Sequence, residues 1–240
     1  MRKRTAATIS LGLLSAALVT TLGCGQDDFI DVSQLPLASE EEQADATAAS
    51  GRAFKWVRPS TDLVRCIRPP CPKAILDDVN LGESELAYAY DWRALKLSPT
   101  DQANLEAEPT KLLLYGKYAT TKIAGESVQI YQVTRANRRV SEQSIERSEV
   151  DRYYTAKAVD PACPQPSCGG YSAMLLNQTQ SAAWNQVDLS RLGLPLNAHR
   201  MLTDEMNKSG VYLSIEDPSA VPVVATQAFR PYNAPPLPNN

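Results

Sequence analysis

Histidine is almost absent from this chain of 240 residues, in which His199 is the single example. The G-x-S-x-G, H-E-x-x-H and phosphate-loop motifs are absent as well. A hydrolase with a Ser/His/Asp triad, a zinc protease and a P-loop nucleotidase are therefore not expected. His199 falls on a predicted helix with Asp204 and Glu205 as its nearest carboxylates, and we interpret it as a surface histidine.

An apolar run occupies residues 6–22, behind a basic start at residues 2–4. This order is typical of an export signal, so residues 1–23 are left out of the predicted fold. The run ends in T-L-G-C, which resembles the lipobox of bacterial lipoproteins except that Thr21 stands where an aliphatic residue is usual. We expect lipidation at Cys24. Ordinary cleavage and an uncleaved helix are the alternatives, because about 17 apolar residues are at the lower limit for spanning a bilayer.

Positive charge is scarce in the mature chain. Without its leader the chain has 21 basic and 27 acidic residues, a net charge of about −6. This balance argues against nucleic acid as a partner. Arg135, Arg138 and Arg139 lie beside Glu142 and Glu146, and we interpret them as a solvated, self-paired linker rather than a lipid or nucleic-acid patch.

Four of the five cysteines form two copies of one motif, C-x-x-P-x-C, at Cys66–Cys71 and Cys163–Cys168. In an oxidising compartment, a disulfide within each motif is expected. Each bridge would close a six-residue loop and contribute about 2 kcal/mol. A single zinc site, a redox-active pair and cross-pairing of Cys66 with Cys163 are the alternatives.

The second cysteine motif follows the first by 97 residues, and the same offset aligns further identities. Nine of forty positions match, against about two or three by chance. The matches include Asn80 with Asn177 and Asp91 with Asp188. We therefore predict an internal duplication of an α+β unit of about 100 residues.

The predicted organisation has six parts. They are a signal peptide (1–23), a disordered tether (24–52), a first repeat (53–136), a linker (137–151), a second repeat (152–230) and a Pro-rich tail (231–240).

Each repeat is predicted to follow the order β-β-β-α-β-β. In the first, strands are expected at 53–58, 74–76, 86–90, 111–119 and 127–134, with a helix at 99–107. In the second, strands are expected at 153–156, 171–177, 182–188, 210–216 and 221–229, with a helix at 196–207. A five-stranded OB-type barrel has this order, although many other α+β sheets share it.

Three recurring or unusual features are candidate sites. Asp91 and Asp188 would form a paired-carboxylate acid/base site if the halves faced each other, but an Asp at a strand end more often caps a turn. The recurrence of Asn80 and Asn177 favours a structural role. Gly169-Gly170 would cradle an anion or, more commonly, allow a positive φ or a close backbone approach.

The second cysteine motif carries a family resemblance. The segment from Cys163 to Tyr171 reads C-x-x-P-x-C-G-G-Y, and Asn177, Asp188 and an L-G-L run at 192–194 follow it. This pattern resembles the bacterial family catalogued as domain of unknown function 6748, over about residues 53–230. The resemblance implies an exported protein, often a lipoprotein, with no assigned activity. The first repeat has P-K-A where G-G-Y would stand, so the role of Gly169, Gly170 and Tyr171 is confined to one half.

These features together predict a bacterial envelope protein held at the outer membrane by lipid on Cys24. Its expected role is a non-catalytic binding or structural module for an envelope protein or glycan, without cofactor or metal. The alternative is an envelope enzyme or an enzyme inhibitor that uses the inter-repeat cleft or the cysteine loops. A cleft lined by Asp91 and Asp188 would favour the enzyme.

Overall fold

The computed structural model describes residues 53–60, 66, 69–140, 151–160 and 170–238. These residues form one largely antiparallel sheet of twelve strands with two α-helices, which confirms the α+β class. Several predicted features lie outside the described residues: the leader, the tether, most of the linker, and Cys24, Cys163, Cys168 and Gly169.

The first half contains six strands and one α-helix. The strands are β1 Lys55–Pro59, β2 Ala74–Asp78, β3 Ser84–Ala87, β4 Tyr90–Asp91, β5 Leu112–Ile123 and β6 Glu126–Arg139. Helix α1 spans Pro99–Ala107, as predicted, and short 3-10 helices cover Arg93–Leu95 and Pro109–Lys111. Helix α1 begins there because the Ser98 hydroxyl accepts from Asp101 N at 3.1 Å and a proline occupies the first turn.

The second half follows the same order. Its strands are β7 Arg152–Ala158, β8 Tyr171–Leu175, β9 Ser181–Trp184, β10 Val187–Asp188, β11 Val211–Ile215 and β12 Val223–Pro231. Helix α2 spans Leu196–Lys208, and a 3-10 helix covers Ser190–Leu192. Helix α2 buries Ala198, Leu202 and Met206, which are spaced four residues apart and so share one face.

Several strand ends differ from the predictions by a few residues, and two differences bear on the fold. The third strand of each half is two short strands, because β3 and β9 pair with β2 and β8, whereas β4 and β10 pair in parallel with β6 and β12. The predicted linker begins too early, since β6 runs to Arg139 and its last residues pair with β12. At the linker's other end Asp151 is buried, and its carboxylate accepts from the Ser214 hydroxyl at 2.9 Å.

The strands run in the order β3-β2-β1-β5-β6-β12-β11-β7-β8-β9. By their place in each half, β7, β8, β9, β11 and β12 correspond to β1, β2, β3, β5 and β6. The second half of the sheet therefore repeats the strand order of the first half in reverse, and the two halves meet edge to edge where β6 pairs with β12. Arg138 lies opposite Arg230 at this join, flanked by the pairs Asn137–Pro231 and Arg139–Phe229. Within the described residues this path does not close on itself, so the OB-type barrel is not found.

Three hydrophobic clusters stabilise this sheet. One lies within the first half around Val57 and Leu114, and one within the second half around Leu213 and Met206. The third spans the join and consists of Trp56, Val79, Leu113, Tyr153, Leu176 and Phe229. Four of these six are related by the offset of 97 residues, Trp56 with Tyr153 and Val79 with Leu176. The halves therefore share a core in addition to a strand pairing.

The β5–β6 pairing has a β-bulge opposite Tyr115 and Gly116, where Thr134 of β6 is the extra residue, and the β11–β12 pairing has one opposite Ser214 and Ile215, where Thr226 of β12 is the extra residue. At Gly116 the neighbouring strand is so close that a Cβ atom would lie 2.0 Å from the carbonyl oxygen of Gln132. A side chain at this position therefore requires the backbones of β5 and β6 to separate.

We expect Gly116→Ala to lower the free energy of unfolding by about 3 kcal/mol, because the added methyl group overlaps a backbone atom that cannot rotate away. Gly82→Ala is the matched control, since Gly82 has a φ of +72° but no atom within 4 Å of its Cβ position. That change should cost only about 1 kcal/mol of backbone strain. Equal urea midpoints for the two variants would contradict the close approach at Gly116.

Candidate functional site

Asn80 hydrogen-bonds to the second half rather than facing solvent. Its Nδ2 donates to the carbonyl oxygens of Tyr153 and Leu176 at 2.8 and 2.9 Å, and its Oδ1 accepts from Tyr153 N at 2.8 Å. One side chain thus satisfies three backbone groups across the join.

Asn177 makes the reciprocal set of bonds. Its Nδ2 donates to the carbonyl oxygens of Trp56 and Val79 at 2.7 and 3.0 Å, and its Oδ1 accepts from Trp56 N at 2.6 Å. Trp56 and Val79 precede Tyr153 and Leu176 by 97 residues, so every bond of one asparagine has its counterpart in the other.

Both asparagines have a positive φ, +65° at Asn80 and +60° at Asn177. Asparagine tolerates this left-handed conformation better than most residues and also carries both a donor and an acceptor in its side chain. The two side chains are therefore occupied in joining the halves.

Asp91 and Asp188 cap turns, each within its own half. Asp91 accepts from Arg93 at the backbone N, Nε and Nη2 over 2.7–3.1 Å, and Asp188 accepts from Ser190 N at 2.8 Å. Burial alone would raise the pKa of Asp91, but the bonds from Arg93 outweigh it and hold the pKa below its usual range. The bonds from Ser190 lower the pKa of Asp188.

The cysteine and glycine positions have structural contacts where they are described. Cys66 and Cys71 form a disulfide with their Cα atoms 5.5 Å apart, so neither is a zinc ligand or bonded to the second motif. Gly170 has a φ of +76°, and a Cβ there would lie 2.0 Å from the Trp184 carbonyl oxygen. Tyr171 is buried, and its hydroxyl lies 3.4 Å from Asn207 Oδ1.

A cleft of about 830 Å³ lies at the join of the two halves. Four cationic side chains line it, namely Lys111, Arg138, Arg139 and Arg230, and no carboxylate is among its described lining residues. The Pro-rich end of the chain, residues 231–238, forms one wall. This segment is anchored, because Arg230 Nη1 donates to the Pro235 carbonyl oxygen at 2.8 Å and Tyr232 N donates to that of Ala136 at 3.1 Å. We call this feature the cationic cleft.

Three of the four cations have carboxylate partners behind the cleft. Lys111 Nζ lies 2.5 Å from Glu108 Oε1, and Arg138 pairs with the other oxygen of the same carboxylate. Arg230 forms a two-bond pair with Glu205, in which Nε donates at 2.6 Å. These pairs hold the side chains in place and offset most of their charge.

Arg139 and the neighbouring Arg58 have no carboxylate partner among the described residues. Burial and the positive charge of Arg58 together lower the pKa of Arg139. Arg58 is buried with 5% of its surface exposed, and its guanidinium lies 5.5 Å from the ring centroids of Tyr153 and Phe229. The Nε atoms of both arginines are buried without a hydrogen-bond acceptor.

The cationic cleft can attract and orient an anionic group, and sequence reasoning did not find it. Arg138 and Arg139 were assigned to a solvated linker, whereas they end β6 and line the cleft. Arg58 and Arg230 occur at the ends of β1 and β12, each directly before a proline. That shared Arg-Pro ending was the available signal, but it does not indicate that Arg230 lines the cleft or that Arg58 lies near Arg139.

The comparisons with known proteins add no relative. No family model matches the chain, and no curated protein or solved structure matches it. Within the described residues, His, Cys, Asp and Glu side chains do not gather in threes as a metal site would require. No helix in that part of the chain is long and apolar enough to cross a membrane.

Replacing Asn177 by Gly should lower the free energy of unfolding by about 3 kcal/mol, because the positive φ is retained while three hydrogen bonds of about 1 kcal/mol each are lost. Ala124→Gly is the control, since Ala124 also has a positive φ but is exposed in the β5–β6 turn. That change should leave stability equal or higher. A wild-type urea midpoint for Asn177→Gly would show that the join does not depend on this side chain.

Asp91 should contribute stability that depends on pH. Because its pKa is lower in the folded chain than in the unfolded one, its contribution is present above the unfolded value of about 4 and is lost as pH falls through the folded value. Asp91→Asn should thus cost about 1 kcal/mol at neutral pH, and the difference from wild type should shrink as the pH falls below the unfolded value of about 4. Asp188→Asn, which has no arginine pair to lose, should give a smaller difference. A difference that is constant in urea titrations across this pH range would contradict the assignment.

Proposed function

We propose that this chain is an exported binding module, held at the outer membrane of a bacterial envelope by lipid on Cys24. Its globular part is a non-catalytic domain made by internal duplication, and the cationic cleft is its binding surface. The partner is another envelope component, protein or glycan, that presents an anionic group.

The cationic cleft is the observation that carries this proposal. Four cations line a concave surface whose described lining has no carboxylate, on a chain whose net charge is negative. Three of these cations are paired with carboxylates, so attraction of an anionic ligand falls mainly to Arg139, and the other three help to orient it. A cleft lined by Asp91 and Asp188 would have favoured acid/base chemistry, but both residues cap turns elsewhere.

Three observations support the duplication. The two halves have the same order of strands and helices, and their β-bulges lie in counterpart strands. The contacts of Asn80 and Asn177 are reciprocal under the offset of 97 residues that also relates the cysteine motifs. These features are typical of two copies of one unit that meet about a two-fold axis.

An enzyme inhibitor is the second candidate, and the Cys66–Cys71 disulfide is the observation that favours it. Both cysteines are exposed, and the disulfide closes a ring of six residues in the chain. A pre-ordered loop loses little entropy on binding a target. The cationic cleft has no role in that alternative, so cleft variants would leave inhibition unchanged.

Intact mass of the mature protein from its native membrane tests the lipid anchor. We expect a chain that begins at Cys24 and carries acyl groups, with the remaining four cysteines alkylated only after reduction. A Cys24→Ser variant should lose the acyl mass and leave the membrane fraction. An unacylated mature chain, or thiols that alkylate without reduction, would contradict the anchored and disulfide-bonded protein.

A further inference from the structure

We propose that the cationic cleft binds an oxyanion, a carboxylate or phosphate group carried on a larger ligand, and that Arg139, backed by Arg58, is the recognition group. This inference rests on the proposed binding function and names its ligand class. It draws on charge balance, burial and the shape of the cleft.

The first step concerns charge balance at the join. Arg58 and Arg139 approach each other closely enough for the charge of one to lower the pKa of the other, and the described residues supply neither with a carboxylate. Buried arginines are nearly always paired with an anion. Arg58 is instead held by hydrogen bonds from Nη1 to the Tyr153 hydroxyl and from Nη2 to the Thr110 carbonyl oxygen. Arg139 is half-buried, its Nε is buried without an acceptor, and no described carboxylate pairs with it, which is the pattern of a group kept for binding rather than for folding.

The second step concerns which cations are free to bind. Lys111 and Arg138 share Glu108, and Arg230 is held by Glu205 and by the Pro235 carbonyl oxygen. Their hydrogen-bonding capacity is already partly used within the protein. Arg139 lines the cleft and has no such partner among the described residues, so its guanidinium is the group that an incoming oxyanion would pair with.

The third step concerns the size of the ligand. The cleft volume of about 830 Å³ is in the range of pockets that hold whole small-molecule ligands, and is far larger than one isolated oxyanion needs. Leu194, Pro195, Pro236 and Leu237 supply apolar wall next to the cations. A ligand that fits both features carries its anionic group on a body with apolar surface.

Binding of two probes to the full chain tests the inference, a tetraglutamate peptide for carboxylates and tripolyphosphate for phosphates. Titration calorimetry at low ionic strength should detect at least one of them, with an affinity that falls as salt is added. Binding of tetraglutamate alone identifies a carboxylate ligand, and binding of tripolyphosphate alone identifies a phosphate ligand. Binding of both supports the shared oxyanion chemistry.

Arg139→Gln should weaken binding by about tenfold or more, because it removes the unpaired guanidinium. Arg135→Gln is the matched control, since Arg135 is exposed on the same strand and lies against the Tyr115 ring, and it should change affinity less than about twofold. Removal of a like-charge neighbour of Arg58 should also leave the melting temperature of Arg139→Gln equal to or above that of wild type.

Three results would overturn the inference. They are no binding of either probe at low ionic strength, an equal loss in the Arg135→Gln control, and a lower melting temperature with unchanged affinity in Arg139→Gln. The last result would assign Arg139 a structural role. None of them would alter the acyl mass at Cys24, so failure of the oxyanion site is distinguishable from failure of the lipid anchor.

Discussion

Asn80 and Asn177 each satisfy three backbone groups of the opposite half, and the position of every other element at the join depends on these six hydrogen bonds. Backbone groups buried at an interface without partners would each cost about 1–3 kcal/mol. With them satisfied, the shared cluster around Trp56 and Tyr153 packs and β6 reaches β12. The cationic cleft exists because this pairing brings the ends of those two strands together.

The sequence predicted elements whose signals are local and missed features that depend on distant partners. Helix α1 was predicted to the residue because Ser98 and Pro99 mark its start within a few positions. The split of the third strands was missed because it arises from parallel pairing with β6 and β12, far along the chain. The offset of 97 residues identified Asn80 and Asn177 as equivalent positions. It did not predict that each asparagine hydrogen-bonds to the backbone of the opposite half.

The candidate site was the least predictable part of the structure, because its residues are distant from one another in the sequence. Its cations come from β6, from β12 and from the 3-10 helix before β5, and each has an ordinary sequence context. A chain with a net charge of −3 also gives no indication of a local basic surface. Asp91 and Asp188 occupy equivalent sequence positions, and each accepts hydrogen bonds within a single turn of its own half. Their recurrence therefore reflects a turn that both halves contain, and not a shared site.

The antiparallel pairing of β6 with β12 places Arg138 directly opposite Arg230, which resembles the way in which two subunits pair their edge strands in a symmetric dimer. Here both partners belong to one polypeptide. Covalent connection gives each half a high effective concentration of the other, independent of how many molecules are present. A site assembled from both halves is therefore complete in a single molecule, however sparsely such molecules are distributed.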